Sequence, residues 1–246
     1  MIYFASDVHL GLAEGDPAER EARFSSWLRS LLHKPGTEAL YLLGDIWDFW
    51  YEYRDVIPRE GVRVVAALAA LVDAGIPVYY FPGNHDVWLY SFWQDLGVQV
   101  LQQPRRVTLQ GKRLLLGHGD GLGTASRSYN FMLKVFHSKL CQKLFSTLHP
   151  WIAFRIAKGW SNSNRRSHSA YRFKGEEEPL FRYCVRSCAE EHADYCIFGH
   201  FHDAVDMPLP SAAGGAPSRL VVLKDWISGG EPHAELEGGE LSVFVR

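Results

Sequence analysis

Five short apolar segments of this chain each end in a glycine or a serine that is followed by aspartate, asparagine or histidine. The segments are IYFASDVH, ALYLLGDIWD, VYYFPGNHD, RLLLGHGD and YCIFGHFHD. Apolar runs of this length are typical of strands that are buried on both faces of a sheet. Helical patterns over residues 18–33 and 61–74 lie between the strands. The alternation predicts an α/β fold whose strands end in polar side chains.

The second half of the chain indicates that the sheets are mixed rather than purely parallel. Residues 105–117 have the pattern of a hairpin that turns at Gln110, Gly111 and Lys112. The segments RLVVLKDWI and LSVFVR near the C-terminus are typical of further strands. Residues 208–219 are rich in glycine, alanine, proline and serine, and this composition predicts a loop.

The composition limits the cellular setting of the protein. At 246 residues, the chain fits one domain or one domain with an insertion. Its four cysteines have neither the C-x-x-C spacing of a zinc site nor a disulfide pattern, so we expect reduced thiols in a cytoplasmic protein. Asp7 and His9 interrupt the early apolar run, which argues against a signal peptide. No run approaches the roughly 18 apolar residues that a membrane span requires.

Residues 124–174 differ from the rest of the chain in charge. They contain ten lysines and arginines and no aspartate or glutamate, whereas the other residues include 16 basic and 28 acidic side chains. Apolar residues recur at helical spacing here, with a break at His149 and Pro150, so we expect a basic amphipathic insertion. Such a segment suits an anionic lipid, a nucleic acid or a membrane surface, with a solvated charged face as the alternative. Since no nucleic-acid recognition motif is present, we expect no nucleic-acid partner.

The polar residues that follow the five apolar segments have the chemistry of metal ligands. They are predicted to lie beyond the carboxyl ends of strands, where ligands bind in α/β sheets. About seven such ligands are too many for one tetrahedral zinc ion and suit two divalent cations that activate water for phosphoester hydrolysis. Nitrogen and oxygen ligands without thiolate fit Mn²⁺, Fe²⁺, Zn²⁺ or Co²⁺. The residues are Asp7, His9, Asp45, Asp48, Asn84, His85, Asp86, His118, Asp120, His200, His202 and Asp203.

The order of these residues resembles the calcineurin-like metallophosphoesterases. The motifs D-x-H, G-D-x-x-D, G-N-H-D, G-H-G-D and G-H-x-H follow one another between residues 5 and 203, as they do in that family. The resemblance implies a two-sheet α/β/β/α sandwich and a centre of two divalent metal ions, for which Mn²⁺ is the expected metal. It implies that Asp7, His9 and His202 hold the first metal, that Asn84, His118 and His200 hold the second, and that Asp45 bridges them.

Further residues of these motifs are implied to act beside the metals. His85 of the G-N-H-D motif is expected to protonate the leaving oxygen or to stabilise charge on phosphorus. Asp48 or Asp86 is expected to orient the imidazole of His85. The glycines of the motifs are expected to permit tight turns and a close approach of the backbone to the metal centre.

The basic insertion directly after the G-H-G-D motif is similar to that of the UDP-2,3-diacylglucosamine diphosphatase family. That family cleaves the pyrophosphate of a UDP-linked diacylated glucosamine in lipid A synthesis and releases UMP and a lipid monophosphate. The resemblance implies that residues 124–174 form a helical lid within a single domain of residues 1–246, and that the protein works at the inner membrane surface. The implied substrate contacts are Tyr129, Arg155, Asn162, Ser163, Arg165 and Arg166.

Two departures from that family leave other substrates open. This chain has His85 where the better-known members have arginine, and Asp203 where they have a basic residue. A metallophosphoesterase acting on a soluble nucleotide or phosphoprotein is the alternative. A non-catalytic scaffold is a third possibility, which the complete ligand set disfavours. The aromatic run from Trp47 to Tyr53 either lines the pocket or packs in the core.

Overall fold

Two mixed β-sheets form the centre of the protein. The structure, a computed structural model, describes residues 1–53, 55–123, 131–132, 134–136, 138–157, 159, 172–210 and 217–246. The strands are β1 (Ile2–Ala5), β2 (Ala39–Leu42), β3 (Val78–Tyr80), β4 (Gln99–Val100), β5 (Arg105–Leu109), β6 (Lys112–Leu116), β7 (Tyr195–Phe198), β8 (Val205–Leu209), β9 (Ser218–Val222), β10 (His233–Glu237) and β11 (Glu240–Phe244). The fully described helices are α1 (Pro17–Leu31), α2 (Val62–Asp73), α3 (Phe92–Asp95), α4 (Lys139–Ser146) and α5 (Pro179–Glu190). Residues 150–157 are also helical.

The two sheets combine parallel and antiparallel neighbours, as the sequence predicted. The first sheet has the strand order β11-β10-β1-β2-β3-β4, and β1 to β4 run parallel. The second has the order β5-β6-β7-β9-β8, in which β6, β7 and β9 are parallel and the edge strands β5 and β8 are antiparallel. Parallel neighbours require crossover connections, which α1, α2 and α3 supply between the first four strands.

Side chains along the central strands alternate between two cores, because successive residues of a strand point to opposite faces. In β1, Phe4 is buried between the sheets in a cluster with Leu116 and Ile197. Tyr3 points to the other side, where its ring meets Trp27 of α1 at 6.2 Å. A third cluster joins the outer face of the second sheet to α5. The layers are therefore α/β/β/α, and burial on both faces explains the continuous apolar runs in the sequence.

The helices and the hairpin agree with the sequence predictions, whereas the predicted loop was too long. α1 begins after Asp16, whose carboxylate accepts hydrogen bonds from the backbone of the first turn. β5 and β6 form the predicted hairpin, with Leu109 opposite Lys112. Part of the predicted loop over 208–219 was wrong, because its two ends pair as β8 and β9, with Leu209 opposite Ser218. Residues 211–216 lie outside the described residues.

Cys141, Cys184, Cys188 and Cys196 carry free thiols in the structure. Cys184 and Cys188 lie on α5 and are buried against the second sheet. The Sγ atom of Cys188 lies 3.5 Å from the Sγ atom of Cys196 in β7. Among the helices that the structure describes, none is both long enough and apolar enough to cross a bilayer.

Candidate active site

The residues predicted to bind metal come together at one edge of the sandwich. They follow β1, β2 and β3 of the first sheet and β6 and β7 of the second, where the carboxyl ends of these strands meet. Among the described residues, three groups of side chains place their potential ligand atoms within 4.8 Å of one another. The groups are Asp7, His9 and His202; His9, Asp45 and His85; and Asp45, His118 and His200.

The first group joins the two sheets through Asp7, His9 and His202. The Nε2 atoms of the two histidines lie 3.1 Å apart. The Oδ1 atom of Asp7 lies 3.4 Å from Nε2 of His202 and 3.7 Å from Nε2 of His9. The other carboxylate oxygen, Oδ2, accepts hydrogen bonds from the Ser6 hydroxyl at 2.6 Å and from the His200 backbone N–H at 2.9 Å. The Asp7 carboxylate is therefore oriented so that Oδ1 faces the two imidazoles.

The second and third groups share Asp45. Its Oδ2 atom lies 3.3 Å from Nε2 of His118 and 3.7 Å from Nε2 of His9. Its Oδ1 atom accepts a hydrogen bond of 2.9 Å from the backbone N–H of His85. Nδ1 of His118 lies 2.8 Å from the carbonyl oxygen of Leu43. Because a carbonyl only accepts, Nδ1 of His118 carries a proton, and Nε2 is the ring atom that faces the site and binds a metal when it is deprotonated.

Oδ1 of Asp7, Oδ1 of Asn84 and Nε2 of His118 are buried atoms of predicted ligands that make no hydrogen bond. Buried polar atoms without a partner are rare, because each has lost its hydration without compensation. A cation placed among them would supply the missing interaction. Oxygen and imidazole donors without thiolate match the preferences of divalent first-row metals. The residues present therefore fit divalent metal ions.

The backbone is strained where it carries these ligands. The left-handed region with positive φ is unfavourable for residues other than glycine. Among the described residues, six non-glycine residues adopt it, and five of them are predicted metal ligands. Such conformations cost about 1–3 kcal/mol each and persist where surrounding contacts enforce them. The five are Asp7 (φ 54°), His9 (φ 50°), Asp45 (φ 52°), His200 (φ 74°) and His202 (φ 56°).

The glycines of the motifs leave room for the ligands, as the sequence predicted. A Cβ atom on Gly83 would collide with the carboxylate of Asp45. A Cβ atom on Gly199 would collide with the carboxylate of Asp7. A Cβ atom on Gly44 would come within 2.6 Å of Nδ1 of His118. These backbone segments therefore approach the ligands more closely than any larger residue permits.

Asp48 contacts the imidazole of His85, and Asp86 has a different role. Nδ1 of His85 lies 2.9 Å from the carbonyl oxygen of Asp48 and 3.5 Å from its Oδ1 atom. The same Oδ1 atom lies 3.3 Å from Nδ1 of His9. Asp86 instead accepts hydrogen bonds from the backbone N–H of Gly83 at 2.7 Å and from the hydroxyl of Tyr80. Of the two residues expected to orient His85, the structure therefore favours Asp48.

Mutual interactions shift the pKa values of the buried site residues. Burial opposes ionisation of Asp45, but the neighbouring imidazoles of His118 and His85 outweigh it and hold the pKa of the carboxyl well below its ordinary value. Burial likewise opposes protonation of His118, but the charge of Asp45 outweighs it and raises the pKa of the imidazole well above its ordinary value. Burial and the charge of Asp45 raise the pKa of Asp86. Asp45 is thus held as an anion, which is the form that binds a cation.

The basic insertion contacts the loops that carry the candidate ligands through an aromatic cluster. The ring of Phe49, next to Asp48, lies 5.2 Å from Phe154. The ring of Trp88 lies 5.0 Å from Phe145. The cluster contains Phe49, Tyr51, Trp88, Phe136, Phe145 and Phe154.

The aromatic run from Trp47 to Tyr53 therefore has two roles. Trp47 and Trp50 are fully buried in the core beneath α1 and α2. Phe49 and Tyr51 reach the insertion instead, and the Tyr51 hydroxyl donates a hydrogen bond of 2.9 Å to the carbonyl of Gln142. Neighbouring residues of this run thus pack either in the core or against the insertion.

Most of the predicted substrate contacts lie outside the described residues. These are Tyr129, Asn162, Ser163, Arg165 and Arg166. Arg155 is exposed, and its guanidinium lies 4.8 Å over the ring of Trp151. The carboxylate of Asp203 accepts a hydrogen bond of 3.3 Å from the backbone N–H of Phe173, so it links the end of the insertion to the loop of His200 and His202.

The fold and the buried donor groups define a metal-dependent phosphoesterase. The chain belongs to the calcineurin-like phosphoesterase family, whose profile matches residues 1–204. The UDP-2,3-diacylglucosamine hydrolase of Porphyromonas gingivalis is 36% identical to this chain over 243 residues, which cover 92% of this chain and 90% of that protein. The UDP-2,3-diacylglucosamine hydrolase of Proteus mirabilis is 32% identical, and the match covers 81% of this chain and 80% of that protein. The protein of the same name from Aeromonas hydrophila is 30% identical, with coverage of 92% and 91%.

Proposed function

We propose that the protein hydrolyses the pyrophosphate bond of UDP-2,3-diacylglucosamine in lipid A biosynthesis and releases UMP and 2,3-diacylglucosamine 1-phosphate. The observation that carries the reaction class is the set of buried ligand atoms without hydrogen bonds, on Asp7, Asn84 and His118. The substrate is supported by relatives that bear the name UDP-2,3-diacylglucosamine hydrolase and align over most of this chain.

The candidate ligands divide into two metal sites that share Asp45. Its Oδ2 atom lies between Nε2 of His9 and Nε2 of His118, at 3.7 Å and 3.3 Å. When bound, two divalent cations lower the pKa of a water molecule and neutralise charge on the phosphoryl oxygens. We take Mn²⁺ as the physiological metal. The first site consists of Asp7, His9 and His202, and the second of Asn84, His118 and His200.

His85 is the general acid in this proposal. Its Nδ1 atom donates to the carbonyl of Asp48 at 2.9 Å, because the carbonyl only accepts. In the protonated imidazole, the Nε2–H then gives its proton to the phosphate oxygen that leaves. The Asp48 carboxylate also lies 3.3 Å from Nδ1 of His9 and orients that ring toward the first site.

The insertion of residues 124–174 is the lid that receives the acyl chains and meets the inner membrane surface. Its described helices expose large apolar side chains: Leu140, Leu144, Trp151, Ile152 and Ile156. Basic residues accompany them in a segment without carboxylates. An exposed apolar face with cationic edges is suited to the interface of an anionic membrane. Arg155 stacked on Trp151 has the combination of charge and aromatic ring that favours this interface.

The reaction is tested with purified protein, Mn²⁺ and UDP-2,3-diacylglucosamine in detergent micelles, with UMP measured by chromatography. Bis(p-nitrophenyl) phosphate is the small control substrate. We expect UMP release from the lipid. Turnover of the small phosphodiester without any turnover of the lipid would favour the soluble-substrate alternative. No turnover of either substrate would contradict the proposed reaction class.

Membrane contact is tested by sedimentation with vesicles of phosphatidylglycerol and phosphatidylethanolamine. Ile156→Ser is expected to reduce the bound fraction, because Ile156 is an exposed apolar residue of the lid. Val62→Ser is the matched control, since Val62 is similarly exposed but lies on α2. Equal binding by both variants and the wild type would contradict the membrane role of this face.

A further inference from the structure

Helix α1 contains a buried arginine that is surrounded by the loop following β1. Arg20 is only 1% exposed, although arginine is rarely buried without partners. Its Nη2 atom donates hydrogen bonds to the carbonyl oxygens of His9 at 3.0 Å and Leu12 at 2.6 Å. Its Nη1 atom donates to the carbonyl oxygen of Glu14 at 2.9 Å. The guanidinium therefore holds the backbone of a predicted metal ligand and of the loop that follows it.

Arg23 lies on the same face of α1 and reaches the other ligand of the D-x-H motif through one intermediate residue. Its Nη2 atom donates a hydrogen bond of 2.6 Å to the carbonyl of Trp226. The backbone N–H of Trp226 donates a hydrogen bond of 3.0 Å to the carbonyl of Asp7. Arg20 and Arg23 are three residues apart and are therefore neighbours on α1. Both act on the turn of residues 7–9: Arg20 bonds to His9, and Arg23 is linked to Asp7 through Trp226.

This turn requires external support because both of its ligands have positive φ, 54° at Asp7 and 50° at His9. Their N–H groups donate to the carbonyls of Gly44 at 3.1 Å and Asp45 at 3.0 Å. The Asp7 carbonyl accepts from the backbone N–H of Trp226, and the His9 carbonyl accepts from Arg20 at 3.0 Å and from the backbone N–H of Leu12 at 3.2 Å. Arg20 thus supplies the side-chain hydrogen bond to the His9 carbonyl and also holds Leu12, whereas Arg23 holds Trp226, the backbone donor to Asp7. Both arginines come from outside the metal-binding motifs.

We propose that Arg20 is a positioning residue of the first metal site and, with Arg23, sets the affinity of that site for its cation. The inference rests on the proposed centre of two metals. A guanidinium has five N–H donors in a rigid fork, which suits three carbonyl acceptors in different directions. Methionine fills a similar volume without donors, and lysine keeps the charge with a different donor geometry. The two substitutions therefore separate packing and charge from hydrogen bonding.

The experiment is a Mn²⁺ titration followed by electron paramagnetic resonance, with thermal unfolding of each sample measured in parallel. Wild type is expected to bind two ions. Arg20→Met is expected to weaken one of them by about 10- to 100-fold, as for other residues that hold metal ligands in place, and to leave the second unchanged. Arg20→Lys is expected to recover part of the loss. Arg29→Met, an exposed position of the same helix, is expected to bind as wild type.

The outcomes distinguish this inference from the proposed function. A folded Arg20→Met protein with two unchanged Mn²⁺ sites overturns the role of Arg20 and leaves the two-metal centre intact. A wild-type protein that binds fewer than two ions overturns the two-metal centre itself. If Arg20→Met does not fold, Arg23→Met decides, because Arg23 is only partly buried. Unchanged binding in that variant likewise contradicts the inference, and selective weakening of one site supports it.

Discussion

Trp88 joins the insertion to the loop that carries Asn84 and His85, so its removal tests whether the insertion acts on the substrate. The indole Nε1–H donates a hydrogen bond of 2.7 Å to the carbonyl of Phe136. The ring lies 5.5 Å from the ring of Phe136 and 5.0 Å from that of Phe145. Both partners belong to the insertion, whereas Trp88 belongs to the phosphoesterase core. We predict that Trp88→Ala uncouples the two.

The size of the effect follows from these contacts. Two aromatic pairs contribute about 0.5–1.5 kcal/mol each, and a neutral hydrogen bond contributes about as much again. Loss of all three removes roughly 3 kcal/mol of the free energy that holds the insertion on the core. Because about 1.4 kcal/mol corresponds to a factor of ten, we expect kcat/KM for UDP-2,3-diacylglucosamine to fall about 100-fold. Trp88→Phe loses mainly the hydrogen bond, about 1 kcal/mol, and is expected to cost about fivefold.

The assay compares kcat/KM for the lipid substrate with kcat/KM for bis(p-nitrophenyl) phosphate at the same Mn²⁺ concentration. The small phosphodiester reports on the site alone, and we expect it to change by less than about threefold in Trp88→Ala. Trp27→Phe is the control matched to Trp88→Phe. Trp27 is a buried residue of α1 whose described ring contacts, with Tyr3 and Trp226 among them, lie outside the insertion. Its substitution is therefore expected to lower the melting temperature without changing the ratio of the two activities.

Two results would refute this reasoning. Equal losses for both substrates in Trp88→Ala would mean that Trp88 supports the site and not the insertion. Unchanged turnover of the lipid would mean that the attached insertion contributes nothing to its recognition.

The remaining predictions concern the site itself. Asp45→Ala removes the ligand that the two metal sites share, so we expect loss of the two-ion Mn²⁺ centre. All activity is expected to fall by about 10³-fold or more, because a cation supplies several kcal/mol of charge stabilisation. Full activity of this variant would disprove the shared carboxylate. His85→Asn is expected to lower kcat by about 10²- to 10⁴-fold while Mn²⁺ binding stays intact, and loss of Mn²⁺ instead would make His85 a ligand. Gly199→Ala is expected to abolish Mn²⁺ binding at Asp7, because its Cβ collides with that carboxylate. Gly159→Ala is the control: its Cβ meets no atom of the described residues within 4 Å, and the Mn²⁺ titration curve is expected to stay unchanged.

The pattern of the sequence was sufficient to predict the fold class and the candidate ligands, because both depend on local order. Strands that are buried on both faces must be continuously apolar, so they stand out from amphipathic helices. A polar residue directly after such a strand interrupts that pattern. Asp7, Asp45 and His118 are recognisable for this reason. The predicted loop at 208–219 failed at its ends because the pairing of β8 with β9 is a contact between separate segments.

Residues that support the ligands carried no such signal. Arg20 lies on a charged helix and is indistinguishable in the sequence from the exposed Arg29 of the same helix. Ser6 and Tyr80 lie in apolar runs, and their hydroxyls gain meaning only from the carboxylates of Asp7 and Asp86 that accept their hydrogen bonds. Their roles depend on hydrogen-bond partners that come within reach only when the chain is folded.

By itself, the sequence determined which chemical groups this protein offers and that each follows a buried strand. It did not determine their distances. His9 and His202 are 193 positions apart, yet the packing of the two sheets places their Nε2 atoms 3.1 Å from each other. The tertiary structure also decided that Asp48, rather than Asp86, contacts His85. The physical reason is that side-chain identity is local, whereas the position of a ligand results from the burial of apolar surface across the whole domain.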